Sequence, residues 1–372
     1  MVTTHVLDST DPSVLLPALR ALADEATPDE VARHTASVVP HLCADRDVCV
    51  AALDVLDILE PPAVAPHAAA ILARLEATEA SLRYRVVEVL ATLEPHALAE
   101  IAPGVEALVA HTDEGVRRRA VELIGGLEPE TLAAHLEAVV PALDDEDEDV
   151  RLTATDALRR LPVDRLTERL PLVLARLGDE ESCVRLSALS ALGRLPTAGR
   201  LAHLERLLAM LRDDDWRVRR GALELLGEAD EPAQLAPLAA HHEALLRCLD
   251  DVDVHMRRNG VALLERLEGA ALLVGPEGGP DRAVAVAAGL HERRATERDS
   301  QTRARIEALH AKLAAAAGGG GGGVVVEEVG QGPTDEVVPM EGGGGLRAAA
   351  GAGGGGGGGA EAEATAAEEA QI

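Results

Sequence analysis

An internal repeat is the feature that most constrains how this chain can fold. The segment DEGVRRRAVELIGGLEP at 113–129 recurs as DEDVRLTATDALRRLP at 147–162 and as EESCVRLSALSALGRLP at 180–196. The apolar residue before the arginine serves as an anchor for alignment; five successive anchor intervals are 34 residues and the last is 38. A constant period of this size is typical of solenoids, whose units pack on their neighbours. The seven anchors are Val48, Leu82, Val116, Val150, Val184, Val218 and Met256.

Each copy of the repeat predicts two helices. After the anchor Val116, a small residue follows four positions later and aliphatic residues follow at eight and eleven, as Ala120, Ile124 and Leu127. These offsets fall on one face of an α-helix, which we call helix B. A second apolar pattern before each anchor predicts a preceding helix A. Proline, which ends one helix and suits the first turn of the next, separates the copies at Pro61, Pro95, Pro129, Pro162 and Pro196.

The composition favours closely packed helices and a strongly acidic surface. The chain has no Phe, one Tyr and one Trp, so its core must be built from Leu, Val and Ala, and Ala and Leu lead the helix propensity scale. Acidic residues outnumber basic ones 64 to 35, which gives a formal charge of −29, and Lys312 is the only lysine. A negative surface keeps a chain soluble. This composition resembles that of proteins from salt-loving archaea.

The helical hairpin of 34 residues with D-x-x-V-R at the head of helix B resembles HEAT repeats, including the phycobilin-lyase-like subgroup. The resemblance covers roughly residues 10–316. It implies an all-α, right-handed α-solenoid of about eight HEAT-like hairpins, and a protein that works by binding a partner. Tetratricopeptide repeats share the period, but their W-x2-L-G-x2-Y pattern is absent.

The chain is predicted to contain two regions. Residues 1–316 form the solenoid, with degenerate cap repeats near 10–30 and 284–316. Residues 317–372 alternate glycine blocks with acidic segments. Sequence of this kind cannot bury a core, which predicts a disordered tail.

Two irregularities interrupt the solenoid pattern. Four extra residues precede the last anchor, Met256, and we expect them in the turn between repeats near 227–237. The segment LLVGPEGGPDRA at 272–283 predicts a longer break before the C-terminal helices.

An acid and an arginine recur together at the head of helix B, four residues apart. The acid is expected to cap free N–H groups and to meet the positive end of the helix dipole. The arginine is expected to pair with this acid and with the next repeat, and the HEAT resemblance implies that such pairs form a structural ladder. Cys49 occupies the arginine position of the first full repeat. The ladder residues are Asp113 and Arg117, Asp147 and Arg151, Asp215 and Arg219, and Asp253 and Arg257.

Both aromatic residues are predicted to lie near the edge that carries exposed arginines, with Trp216 in the turn between helices A and B. Aromatic and arginine side chains contribute strongly to protein interfaces. Two alternatives stay open: Trp216 lies flat over an adjacent arginine stem, and pairs such as Arg118–Glu122 and Arg220–Glu224 only solvate the helix surface. The partner-binding hypothesis comprises Tyr84, Arg118, Trp216, Arg217, Arg220 and Arg258.

Other chemistries lack a matching pattern. Direct nucleic-acid binding is disfavoured because the solenoid is itself strongly negative and phosphate contacts weaken with salt. The acidic run at 144–149 lacks the glycine of a calcium loop, and His241, His242, Cys248 and His255 have no recognised ligand spacing. We therefore expect no metal, no cofactor and no catalytic residue. The four cysteines lack CxxC spacing and are expected to be free thiols.

The sequence predicts a non-enzymatic scaffold or adaptor that offers a long surface to a protein partner. No segment has the length and apolarity of a membrane span or the pattern of a signal peptide, so a cytoplasmic location is expected. The alternatives are a lyase-like or enzyme-accessory HEAT protein and a chromosome-associated HEAT subunit.

Overall fold

A computed structural model describes residues 4–43, 45–75, 78–275 and 279–318. In these ranges all regular secondary structure is helical. The first eleven α-helices are α1 Thr4–Leu7, α2 Pro12–Glu25, α3 Pro28–Val38, α4 Arg46–Leu56, α5 Pro61–Val64, α6 Ala68–Leu72, α7 Ala80–Ala91, α8 Pro95–Glu106, α9 Glu114–Gly125, α10 Pro129–Val139 and α11 Glu148–Arg160. The next eleven are α12 Val163–Glu168, α13 Leu170–Arg176, α14 Ser182–Gly193, α15 Thr197–Leu201, α16 Leu204–Met210, α17 Trp216–Gly227, α18 Pro232–Ala240, α19 His242–Arg247, α20 Val254–Gly269, α21 Gly279–Arg294 and α22 Ser300–Gly318.

The predicted B helices are α4, α7, α9, α11, α14, α17 and α20, and each begins two residues before its anchor. Successive B helices pack on one another along the solenoid. The two ends continue the row, since α2 packs on α4 and α22 packs on α20. Each B helix from α4 to α22 has a preceding A segment, which gives eight hairpins in the described residues. The predicted all-α solenoid of about eight hairpins is confirmed.

Prolines start the A segments as predicted. Pro61, Pro95 and Pro129 are the first residues of α5, α8 and α10, where proline costs no hydrogen bond. Pro162 and Pro196 are the N-caps of α12 and α15. The prolines therefore set the point at which every new repeat begins.

Small residues allow neighbouring helices to approach closely. All seven anchors are buried, and so are the alanines four positions later. A Cβ atom added to Gly125 would lie 3.5 Å from the Cβ of Ala157, and one added to Gly193 would lie 3.1 Å from Cδ2 of Leu225. The core is therefore a continuous layer of Leu, Val and Ala between helices A and B.

The four extra residues before Met256 do not lie in the turn alone, so that prediction is wrong. The turn 228–231 between α17 and α18 is only one residue longer than the turn 126–128 between α9 and α10. The remaining three residues lengthen the A segment that α18 and α19 form. About one helical turn can be added to a helix without changing which face meets the core.

The predicted break at 272–283 and the predicted tail are described in part. Helix α20 ends at Gly269, and Ala271 has a positive φ of 59°. A Cβ atom at Gly275 would lie 2.5 Å from the carbonyl oxygen of Ala271, so this turn requires glycine. Helix α22 extends to Gly318, two residues past the predicted boundary. The rest of the predicted tail, 319–372, lies outside the described residues.

Candidate interaction surface

The arginines of the B helices form a ladder that runs from repeat to repeat. Nε and Nη2 of Arg185 donate hydrogen bonds to the carboxylate of Asp213 at 2.7 and 2.6 Å. Nη1 of the same side chain donates to the carbonyl oxygens of Asp179 and Glu180 at 2.9 and 2.8 Å. Each such arginine thus joins the turn of its own repeat to the turn of the next. The same arrangement joins Arg117 to Asp145, Arg151 to Asp179, Arg219 to Asp251 and Arg257 to Glu297.

The acids at the heads of the B helices cap them, as predicted, but they do not pair with the ladder arginine of their own repeat. The carboxylate of Asp113 accepts a hydrogen bond from the N–H of Val116 at 3.0 Å, and it makes no ion pair with Arg117. The predicted pairing within one repeat is therefore wrong, because the carboxylate is turned toward the helix and the arginine extends into the next repeat. The other acids of the predicted set, Asp147, Asp215 and Asp253, cap their helices in the same way.

One rung of the ladder uses a cap acid because its usual carboxylate is missing. At the position two residues before the cap acid, where the next four repeats have Asp, the repeat of α9 has His111. The Nδ1 atom of His111 accepts a hydrogen bond from the N–H of Asp113 at 3.0 Å. Arg83 then donates to Asp113 at 3.0 Å.

Because of the ladder, we expect the folded protein to lose stability in acid. Burial acts to raise the pKa of Asp213, but hydrogen bonds from Arg185 and from the N–H of Asp215 outweigh it, and the pKa is lowered. The same balance lowers the pKa of Asp179, Asp251 and Glu297. A carboxylate with a depressed pKa stabilises the fold above its unfolded value of about 4, and this stabilisation is lost as pH falls through the folded value.

We therefore expect the free energy of unfolding to fall steeply below about pH 4. Urea unfolding at a series of pH values measures this slope. Asp213→Asn should make the slope shallower, since one linked proton is removed, and the exposed control Glu224→Gln should leave it unchanged. An equal slope for wild type and Asp213→Asn would show that the ladder is not the source.

The residues of the partner-binding hypothesis lie on four B helices. Trp216, Arg217 and Arg220 come together at the head of α17, whereas Tyr84 lies on α7, Arg118 on α9 and Arg258 on α20. Trp216 is the first residue of its helix and not part of the turn, which corrects the predicted placement. The side chains of Trp216 and Tyr84 are 50% and 46% exposed.

The exposed arginines have partners on the protein. Arg220 pairs with Glu224 at 2.8 Å, as expected. Arg118 pairs with Asp149 of the next helix at 2.7 Å and not with Glu122. Arg217 pairs with Asp215 and Arg258 with Asp299, both at 2.7 Å.

Stacking of an arginine on an aromatic ring occurs at Tyr84. The guanidinium of Arg119 lies 4.3 Å from the centroid of that ring, and the phenol donates a hydrogen bond to Glu88. Within the described ranges, Trp216 has no such cation above its ring. The side chain of Tyr84 is thus engaged by its neighbours, whereas Trp216 borders an open groove.

This groove lies between α14 and α17 and has a volume of about 360 Å³. Leu186 and Leu189 of α14 face Gly221 and Leu225 of α17 across it, and Trp216 stands at the N-terminal end of α17. Leu189 is buried, while Leu186 and Leu225 are half-buried. We call this feature the Trp216 groove. The polar side chains that border it are Ser190, Arg217, Arg220, Glu224 and Glu228.

The equivalent groove between α9 and α11 is charged. Arg118 stands where the Trp216 groove has Leu186, and Thr153 stands in place of Gly221. Arg119, Arg160, Glu122, Asp149 and Asp156 also line it. An apolar floor is therefore a property of particular residues in the Trp216 groove and not of the repeat itself.

The sequence signals for this floor were weak. In the sequence, Leu186 and Leu225 resemble residues of the core. The pattern within one helix does not show whether the neighbouring helix covers these side chains. Gly221 gives the clearest signal, because the same position holds Arg85, Arg119, Thr153, Ser187 and Asn259 in other repeats.

The histidines and cysteines considered as metal ligands are not assembled into a site. In the part of the chain that the structure describes, no group of three or more His, Cys, Asp or Glu side chains is arranged to hold a metal ion. Cys49, Cys183 and Cys248 are free thiols. Burial raises the pKa of Cys248 to about 12, so this thiol is unreactive at neutral pH.

Comparisons with known proteins identify the repeat. A family model described as HEAT repeats matches residues 101–193 and 170–244. Among solved structures, the chain is similar to Kap121p bound to RanGTP, with 16% identity, a TM-score of 0.52, and coverage of 84% of this chain and 37% of that one. The fold is an α-solenoid, and residues 101–244 of it match the HEAT-repeat family.

The remaining comparisons add no functional assignment. An engineered protein of known crystal structure is 17% identical, with a TM-score of 0.43 and coverage of 55% of this chain and 97% of that one. No curated protein sequence matches the chain. This chain spans little more than a third of the length of Kap121p.

The HEAT-matched segment contains the Trp216 groove. Its lining residues all fall between Leu186 and Glu228, inside the second matched range. None of the described helices is long and apolar enough to cross a membrane. Within the described part of this α-solenoid, the Trp216 groove combines the more exposed of Trp216 and Tyr84 with an apolar floor.

Proposed function

We propose that this chain is a non-enzymatic protein-interaction scaffold that binds its partner through the Trp216 groove. The observation that carries the proposal is the half-exposed Trp216 at the end of an apolar floor of Leu186, Leu189 and Leu225. A tryptophan in this position can bury a large apolar area when a partner covers it. Tryptophan and arginine are also the residues that most often dominate interface energies.

The surrounding structure supports a rigid binding surface. The ladder joins Arg185 of α14 to Asp213 in the turn just before α17, and therefore ties together the two helices that form the groove. A preorganised surface loses less conformational entropy when it binds. Kap121p, which has a similar fold, is bound to RanGTP in its crystal structure, and we propose that this chain likewise uses its solenoid to hold a protein.

Affinity co-purification tests the proposal. The full chain is used as bait in a nuclease-treated lysate at high salt, the conditions set by the predicted salt-loving archaeal source and cytoplasmic location. Trp216→Ala is expected to reduce recovery of a stoichiometric partner at least 10-fold, the effect of losing a central aromatic contact. Tyr84→Ala is the matched control, because Tyr84 is equally exposed but four repeats away.

The outcomes are distinct. Recovery that depends on Trp216 and not on Tyr84 supports the groove. Recovery that depends on both supports the wider strip with Arg118, Arg217, Arg220 and Arg258. If the partner remains bound to Trp216→Ala, the proposed site is wrong.

The same experiment separates the alternative functions. A lyase-like or enzyme-accessory protein would carry a chromophore or metal, which absorbance and elemental analysis detect. A chromosome-associated subunit would lose its co-purifying proteins on nuclease treatment. The scaffold proposal expects neither result, and it expects no cofactor.

A further inference from the structure

We infer that the Trp216 groove binds an amphipathic α-helix of about three turns, with an apolar face and opposite charges toward its two ends. This inference rests on the proposed function and adds the conformation and chemistry of the partner segment. It follows from the backbone that forms the groove, from its dimensions and from the order of its charges.

The backbone of the groove favours a helical occupant. Both sides of the floor are α-helices, α14 and α17, whose N–H and C=O groups away from the helix ends are bonded within each helix. An extended peptide that covered Leu186 and Leu225 would bury its own N–H and C=O groups without partners, which costs free energy. A helix satisfies its backbone internally and needs only side-chain contacts from the floor.

The dimensions match a short helix. Helix α17 has 12 residues, and at a rise of about 1.5 Å per residue its length is roughly 18 Å, or about three turns. Packed helices lie about 8–10 Å apart, and the separation is smallest where side chains are small. Gly221 lies in the middle of the floor, where it lets the backbone of an occupant approach closely.

The order of charges along the groove determines which charge each end of the bound helix should carry. Arg217 and Arg220 lie toward the Trp216 end, and Glu224 and Glu228 lie toward the other end. Their own partners balance them, since Arg217 pairs with Asp215, Arg220 with Glu224, and Glu228 with the buried Arg200. A uniformly acidic or basic occupant would meet one repulsive end.

The pair of Arg220 with Glu224 is exposed, and ion pairs of this kind are weak and can exchange partners. An occupant with acidic residues at the Trp216 end and basic residues at the other end meets complementary charges along its whole length. A helix with this charge order can pair with both Arg220 and Glu224 when these two side chains separate, so that neither charge is left unpaired.

Trp216 is the only tryptophan of the chain, so its fluorescence reports directly on the groove. The full chain is titrated with three tryptophan-free synthetic peptides of about 14 residues. The first has a leucine face with glutamates at one end and lysines at the other. The second is the same helix with all flanking charges acidic, and the third carries two central prolines that prevent the helix. We expect the first peptide to shift Trp216 emission to shorter wavelength and to bind at least 5-fold more tightly than either control.

A groove-filling variant tests the location. Gly221→Arg places in α17 the residue that α9 carries at the same position, Arg119, so the repeat can fold with it. It is expected to weaken binding of the first peptide at least 10-fold. Asn259→Arg is the matched control, because it places the same side chain at the same position of α20, outside the groove. Circular dichroism of both variants verifies that the helices are intact.

Three results would each overturn part or all of the inference. Equal binding of the proline peptide would mean that the groove accepts an extended segment, which leaves the proposed scaffold function standing. If Trp216 emission does not shift with up to about 1 mM peptide, the range of the weakest specific complexes, a helical ligand of this design is excluded. The co-purification experiment would then decide the proposed function separately. Equal binding of the acidic peptide would overturn the assigned charge order.

Discussion

Replacing Arg185 with alanine is expected to lower the free energy of unfolding by about 3 kcal/mol, the lower end of the range for breaking a buried ion pair. The side chains of Arg185 and Asp213 are only 9% and 6% exposed. Removal of the guanidinium leaves the Asp213 carboxylate buried without its cation. It also leaves the carbonyl oxygens of Asp179 and Glu180 without a donor.

Urea denaturation followed by circular dichroism measures this loss. Arg220→Ala is the control, because Arg220 makes an exposed pair with Glu224 within one helix, and it should leave the unfolding midpoint unchanged. Arg185→Lys retains the charge but cannot form the same forked contacts, so it should restore only part of the stability. If Arg185→Ala and Arg220→Ala had equal midpoints, the ladder would contribute nothing measurable.

Truncation of Leu158 to alanine is expected to lower the free energy of unfolding by about 3 kcal/mol, within the usual range for a buried leucine. Leu158 lies on α11 in the middle of the solenoid and is fully buried. The helices around it are held by the neighbouring repeats, so the cavity cannot close completely. The cost therefore includes the lost apolar burial and the cavity left behind.

Hydrogen exchange of the same variant locates the effect. Stability in a solenoid depends on nearest-neighbour interfaces, so amides of α9, α11 and α14 should exchange faster than those of α20. Val252→Ala is the control, since Val252 is 91% exposed and should leave both exchange and unfolding unchanged. Uniform acceleration along all helices would contradict the local character of the repeat.

The B helices were predictable because several independent signals coincide at their starts. A cap acid, an apolar anchor and a small residue four positions later recur with one period, and each B helix begins at the same distance from its anchor. Proline fixes the start of the A segments in the same way. The position of the four extra residues before Met256 was not predictable, because a turn and a longer helix preserve the periodic pattern equally well.

Pairing of the ladder arginines with the next repeat was predicted, but the pairing acid was not, because two acids compete for each arginine in the sequence. Asp145 and Asp147, for example, lie within one acidic run, and only the fold separates the pairing acid from the cap. The signal was present in the repeat, since an Asp recurs two residues before the cap acid as Asp145, Asp179, Asp213 and Asp251. The Trp216 groove was harder to predict, because it depends on which side chains of two helices leave each other uncovered.

Another group of arginines carries a contact that the sequence pattern does not reveal. Arg194 donates to the carbonyl oxygens of Arg159 and Leu161 at the end of the preceding B helix, and Arg266 does so to Gly227 and Ala229. Terminal carbonyl groups of a helix need such donors. These arginines resemble surface residues in the sequence because their partners are main-chain atoms.

The ladder also determines how the length of the protein can change. Arg117, Arg151 and Arg185 each reach an aspartate 28 residues further along the chain. Excision of one complete unit of 34 residues between Arg151 and Arg185 would therefore bring Arg151 to Asp213 at the same separation along the chain. Duplication of that unit would insert one more Arg–Asp pair. A gene that encodes these units can therefore gain or lose a whole repeat in this region and still encode a chain in which each of these three arginines meets an aspartate.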